Sequence, residues 1–81
     1  MLIALDYDKT YTADSAMWDD FIYIAQKRGH TVKIVTMRSP EETIVGSPVD
    51  VVYTSRKAKA SVIKADIWID DSPSWIYQDS L

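Results

Sequence analysis

Cysteine is absent from the 81-residue sequence, which excludes disulfides and zinc–thiolate sites. There are only two glycines and three prolines, so neither low-complexity nor linker-like stretches are expected. Histidine occurs once, as His30 in a helix-to-strand turn, where a structural or surface role is expected. No apolar run approaches the ~20 residues of a membrane span. The amino terminus lacks a basic region ahead of a long apolar core, so no signal peptide is expected. Positive charge is also in short supply: nine Lys and Arg against twelve Asp and Glu give a net charge of −3 and a pI near 4.8. That excludes a general nucleic-acid binder, which needs a basic face, although Arg56, Lys57, Lys59 and Lys64 form a local basic cluster. The expectation is one small domain over residues 1–81, soluble and cytoplasmic, with no membrane association. A chain of this size buries only a little over ~60% of its unfolded surface.

Against these absences stands one stretch of concentrated pattern. Leu2-Ile3-Ala4-Leu5 runs directly into Asp6-Tyr7-Asp8. Four apolar residues bounded by loop residues read as a short strand buried on both faces. Positions i and i+2 of a strand point the same way, so extended geometry carried one step further aims Asp6 and Asp8 at a common point. Two such carboxylates repel unless a proton or a cation lies between them. The matching cation is hard and oxygen-seeking, Mg2+ by default.

Further along, residues 16–28 show helical periodicity, with Met17, Phe21, Ile24 and Ala25 on one face and Trp18 and Ile22 widening it. Asp14 or Ser15 caps this helix and Gly29 stops it. Val32 to Val35 is a second strand ending in Thr36. Ser39-Pro40-Glu41-Glu42 has the cap, proline and glutamate of a helix start, cut short by Gly46-Ser47-Pro48. Val49 to Tyr53 is a third strand. Thr54 or Ser55 opens a helix to about Lys64, with Ala58, Val62 and Ile63 inward. Ile67 to Ile69 is a fourth strand leading into Asp70-Asp71, and Ser72-Pro73 starts a last turn that docks Trp75 and Ile76.

Alternation of strands and helices with short links implies an α/β fold. It has about four parallel strands with helices on both faces. Ligands of such sheets bind beyond the carboxyl ends of the strands. Those ends carry Asp6 and Asp8, Thr36, Thr54 and Ser55, then Asp70 and Asp71. Clustered acids with Mg2+ can bind a phosphate through the metal. A carboxylate can attack phosphorus, a second can move protons, and a hydroxyl from Thr36 and a lysine can hold the phosphoryl oxygens.

Asp6-Tyr7-Asp8-Lys9-Thr10, Val32 to Thr36, a lysine upstream, and Ile67-Trp68-Ile69-Asp70-Asp71 together resemble the four motifs of the haloacid dehalogenase-like phosphatases. The Asp-Asp-Ser-Pro end is similar to the deoxyribonucleotidase and carboxy-terminal-domain phosphatase branches. The resemblance spans residues 2–77. It implies a three-layer Rossmann-like core with the strand order 4-1-2-3, and a Mg2+-dependent phosphatase working through an aspartyl-phosphate on a phosphate monoester of a nucleotide, nucleic-acid end or protein. Asp6 would be the nucleophile and Asp8 the general acid/base. Thr36 would bind the phosphoryl group. Beside the resemblance, the Tyr7 main chain and Arg38 are further candidate contacts, with the Tyr7 ring expected to pack and Arg38 equally suited to pair with Glu41 or Glu42. The metal would be held by Asp6, the Asp8 carbonyl and Asp71, with Asp70 beside it. Lys59 is the favoured lysine, eleven residues before Asp70, with Lys57 and Lys64 as rivals. Thr36 lies 28 positions after Asp8, and Asp70 a further 34 on. That leaves no room for a cap domain, so a large substrate or a second subunit in a homo-oligomer would close the site. The alternatives are a weakly active binding or regulatory module of that fold and a phosphotransferase.

Overall fold

The computed structural model describes residues 1–80. In chain order it holds β1 (Leu2–Leu5), a short 3-10 turn (Tyr11–Ala13), α1 (Ser15–Lys27), β2 (Thr31–Thr36), β3 (Val51–Tyr53), α2 (Lys59–Val62), β4 (Ile67–Ile69) and α3 (Ser74–Tyr77). The four strands form one sheet in the order β3-β2-β1-β4. All three pairings are parallel: Ile3 lies opposite Val32 and Ile67, and Thr36 opposite Tyr53. This is the α/β arrangement and strand order expected from the sequence.

The register explains the core. Ile3, Leu5 and Val32 pack with Ile22 and Ala25 of α1. Ala4, which points to the opposite face, is equally buried, so neither face of the central strand meets solvent. Both edge strands are three residues long, which limits the unpaired backbone available for association.

α1 begins where the Asp14 side chain accepts from the Met17 N–H at 3.1 Å, as a cap should. It ends at Gly29, whose φ of 86° suits a residue without Cβ. There the His30 N–H bonds back to the Ala25 carbonyl. Its inward face is narrower than the apolar stripe implied. Ile22 and Ala25 are buried, but Met17 and Ile24 are exposed, because four short strands do not reach under both ends of the helix.

Two expected helices differ. The Ser39 start closes one turn only: the Ser39 N–H bonds Glu42 Oε1 at 3.0 Å and the Glu42 N–H bonds the Ser39 carbonyl at 2.9 Å. Helix nucleation is costly unless further turns follow. Here β-branched Thr43, Ile44 and Val45 and then Gly46 and Pro48 prevent them. Ile44 instead anchors the loop as a buried side chain whose N–H meets the Tyr53 hydroxyl at 2.9 Å. The third strand accordingly starts at Val51, two residues later than expected. The helix expected from Thr54 forms only over Lys59–Val62. Ser55 and Arg56 take left-handed φ values of 51° and 70°, and the Thr54 hydroxyl bonds the Lys57 carbonyl, which makes a tight loop first. Val62 is consequently exposed.

Truncating Ile34, which is fully buried in β2, to alanine should cost about 2–5 kcal/mol. Val45→Ala, at a side chain 87% exposed, should change stability by less than about 0.5 kcal/mol. Urea unfolding of the two variants checks the placement of core and loop.

Candidate metal-binding site

β1 and β4 lie side by side, so their carboxyl ends deliver acids to one place. The Asp6 N–H bonds the Ile69 carbonyl at 2.9 Å, locking the two strand ends together. Asp6, Asp70 and Asp71 each present a carboxylate oxygen, and these oxygens lie within 4.8 Å of one another.

Lys59 enters from α2 and is almost wholly buried. Its ammonium donates to Asp6 Oδ1 at 2.8 Å and to Asp70 Oδ2 at 2.6 Å. Asp70 Oδ1 accepts the Ser72 N–H at 2.9 Å, which fixes the carboxylate plane. The Thr10 hydroxyl sits between Asp6 Oδ2 and Asp71 Oδ1, at 3.1 and 3.2 Å, and accepts the Asp71 N–H. Among the described residues no buried side-chain polar atom lacks a partner. With every acid ionised, three carboxylates and one ammonium leave two negative charges.

The electrostatics follow the burial. Burial, opposed by the Lys59 hydrogen bond, pushes the Asp6 carboxyl up to about 6. Asp71, more open to water, is held below the usual carboxylate range, chiefly by its hydrogen bond with Asp6. Asp6 is therefore the easier of the two to protonate.

Asp8 departs from the expected arrangement. The chain leaves the extended conformation at Tyr7, where the Tyr7 carbonyl accepts from the Thr10 and Thr12 N–H groups. Asp8 therefore lies outside the group of oxygens that Asp6 forms with Asp70 and Asp71. Its carboxylate lies in the fork of Arg38, at 2.7 and 3.0 Å. That guanidinium holds it below its ordinary range. Arg38 also lies over the Tyr7 ring, 5.1 Å from its centroid, and Tyr7 stacks on Tyr11.

A cavity of about 250 Å³ opens over the cluster. Its wall includes Asp8, Thr36, Arg38, Arg56 and Trp75 as well as the acids and Lys59. Buried Thr36 accepts the Arg38 N–H through its hydroxyl. Tyr7 does not line it. Lys57 and Lys64 are exposed, and among the rival lysines only Lys59 reaches the acids. Sequence alone places neither Thr10 nor Arg56 in the site, and it treats Trp75 chiefly as a packing residue, with lining an open base-stacking site as the lesser reading. Thr10 had a usable signal, a hydroxyl four positions after Asp6 in a loop that must fold back. Arg56 had none, because its place depends on the left-handed turn at Ser55.

A protein-family model described as protein kinase C delta/epsilon/eta/theta, C2 domain, matches residues 7–75. The match covers most of the chain, and on that match the chain belongs to this family. The assignment is carried by sequence: the parallel α/β sheet is a separate observation and does not by itself point to it. No curated protein matches the chain, and no solved structure does. The family match corrects the resemblance to haloacid dehalogenase-like phosphatases. The phosphatase reading, its aspartyl-phosphate chemistry and the alternatives built on the same core fall with it. The four motifs were short, and an acidic, hydroxyl-bearing rim is what many parallel sheets present at their carboxyl ends. No helix among the described residues is long and apolar enough to cross a membrane.

Two outcomes follow from the cluster. Lys59→Met strands two buried carboxylates and should cost about 3–5 kcal/mol, whereas Arg38→Gln breaks a largely exposed pair worth about 0–1 kcal/mol. Denaturation midpoints separate them. Because folding raises the Asp6 pKa, the folded state binds the extra proton between about 4 and about 6. The Asp6 contribution is therefore fully present below about 4 and is lost as pH rises through about 6. Urea stability measured from pH 4 to 7 should show this fall, and Asp6→Asn should flatten it.

Proposed function

We propose that this chain is a divalent-cation-dependent binding module. Mg2+ would be held by Asp6, Asp70 and Asp71, and a phosphorylated partner would be recognised across the cavity they floor. The observation that supports this reading is the convergence of three carboxylates on one point around a single buried ammonium.

The donor set fits the ion. All available ligands are hard oxygens, and no sulfur or imidazole lies among them, which favours Mg2+ or Ca2+ over softer metals. The unbalanced charge is that of one divalent cation. When bound, the ion would neutralise the acids and present a positive charge to an anion.

The chain's own residues do the rest. Lys59 keeps Asp6 and Asp70 in fixed positions, so the cluster is organised in advance of binding. Thr10 aligns Asp6 with Asp71. Arg38 and Arg56 stand on the cavity wall, each engaged with a surface acid, Asp8 and Glu42 respectively. Exposed pairs of this kind are weakly held, which frees both guanidinium groups to turn towards phosphate oxygens, for which their fork geometry is suited.

Calorimetric titration of the purified chain with Mg2+ tests the proposal. Binding should be saturable at pH 7 and weaken about tenfold or more in Asp71→Asn. Lowering the pH from 7 to 5 should weaken it in steps of up to about tenfold per unit, because Asp6 must lose its proton. Absence of binding by both Mg2+ and Ca2+, or an Asp71→Asn variant that binds as tightly, would overturn it.

A further inference from the structure

A second concavity, of about 360 Å³, lies between the amino-terminal end of α1 and the end of β4. Its floor is apolar: Ala13, Met17, Trp18 and Ile69. Met17 is about half exposed, although the helical period assigns it to the inward stripe. The sheet is too narrow to cover it, so the groove is an apolar face left without an intramolecular partner. Its volume is at the lower end of ligand cavities, which run from roughly 300 to 1,000 Å³, and suits one or two side chains rather than a whole helix.

The rim has one dominant sign. Asp14, Asp70 and Asp71 border the groove against one basic residue, Lys9, and Asp19 and Asp20 follow on α1. Between Lys9 and Lys27 the chain carries no basic residue. An apolar floor inside an acidic border is complementary to an apolar side chain flanked by positive charges. It is poorly matched to a second copy of this acidic chain, whose same surface would set aspartates against aspartates.

We infer that the groove formed by Ala13, Met17, Trp18 and Ile69 docks a partner protein through a short segment with aliphatic residues between lysines or arginines. This surface shares Asp70 and Asp71 with the cation site and is most acidic when no cation is bound.

The probe is a short peptide with two leucines flanked on each side by two lysines, compared with its glutamate counterpart. Both are titrated into the full chain at low salt with a chelator present, and tryptophan fluorescence reports burial of Trp18. The basic peptide should bind and shift the emission to shorter wavelength, and the acidic one should not. Met17→Lys, at an exposed position where folding is retained, should weaken binding tenfold or more. Val45→Lys adds the same charge at a remote exposed site and should change affinity less than threefold. Equal loss in both variants would reduce the effect to net charge and overturn the proposal. Unchanged binding in Met17→Lys would overturn it too. So would sedimentation showing a dimer that Met17→Lys disperses, since a second copy would then fill the groove.

Discussion

The Lys59 ammonium, held between Asp6 and Asp70, is the contact on which the carboxyl end of the sheet depends. Three acids brought together without it would repel each other in a setting where burial already disfavours their charge. With it, the ends of β1 and β4 can lie side by side and α2 is tied to the sheet. Such a pair is costly to desolvate and costly to break. It contributes less as a source of net stability than as a device that fixes where the carboxylates point.

The arrangement separates structural from available charge. Lys59 takes one oxygen from Asp6 and one from Asp70. The remaining Asp6 oxygen and the carboxylate of Asp71 meet at Thr10, where the proposed cation would bind. Asp8, two residues from Asp6, belongs to a different system. Together with Arg38 and Tyr7 it forms an exposed polar and aromatic stack on the cavity wall. Two neighbouring aspartates therefore differ in burial, partner and the direction in which their carboxyl groups are shifted.

Much of the architecture was legible because it rests on patterns that tertiary context reinforces. The mostly apolar runs at residues 2–5 and 32–35 form the two interior strands, and that at 67–69 an edge strand beside them. Lys59 was favoured over Lys57 and Lys64 only through the spacing of the phosphatase resemblance, and its place between Asp6 and Asp70 comes from the structure. The misreadings share a cause: a local rule applied beyond the reach of its support. Asp6 and Asp8 would converge only if the strand continued past Tyr7, and the turn closed by Thr10 and Thr12 ends it. Ser39 and Glu42 make the bonds of a helix start, yet the residues after them cannot extend it. Met17 and Ile24 obey the helical period on a helix longer than the sheet it covers. The phosphatase resemblance failed in a similar way, since its short motifs describe a sheet end and a charge pattern, and the family match over residues 7–75 lies elsewhere.

Carbon-detected NMR titration of the aspartate carboxyl groups, with and without Mg2+, tests the central claim most directly. Without the ion, Asp6 should titrate near 6. With saturating Mg2+ its midpoint should fall below the ordinary carboxylate range near 4, because a bound cation favours the ionised form. An Asp6 that titrates near 4 without the ion, or whose midpoint is unmoved by it, would contradict the account.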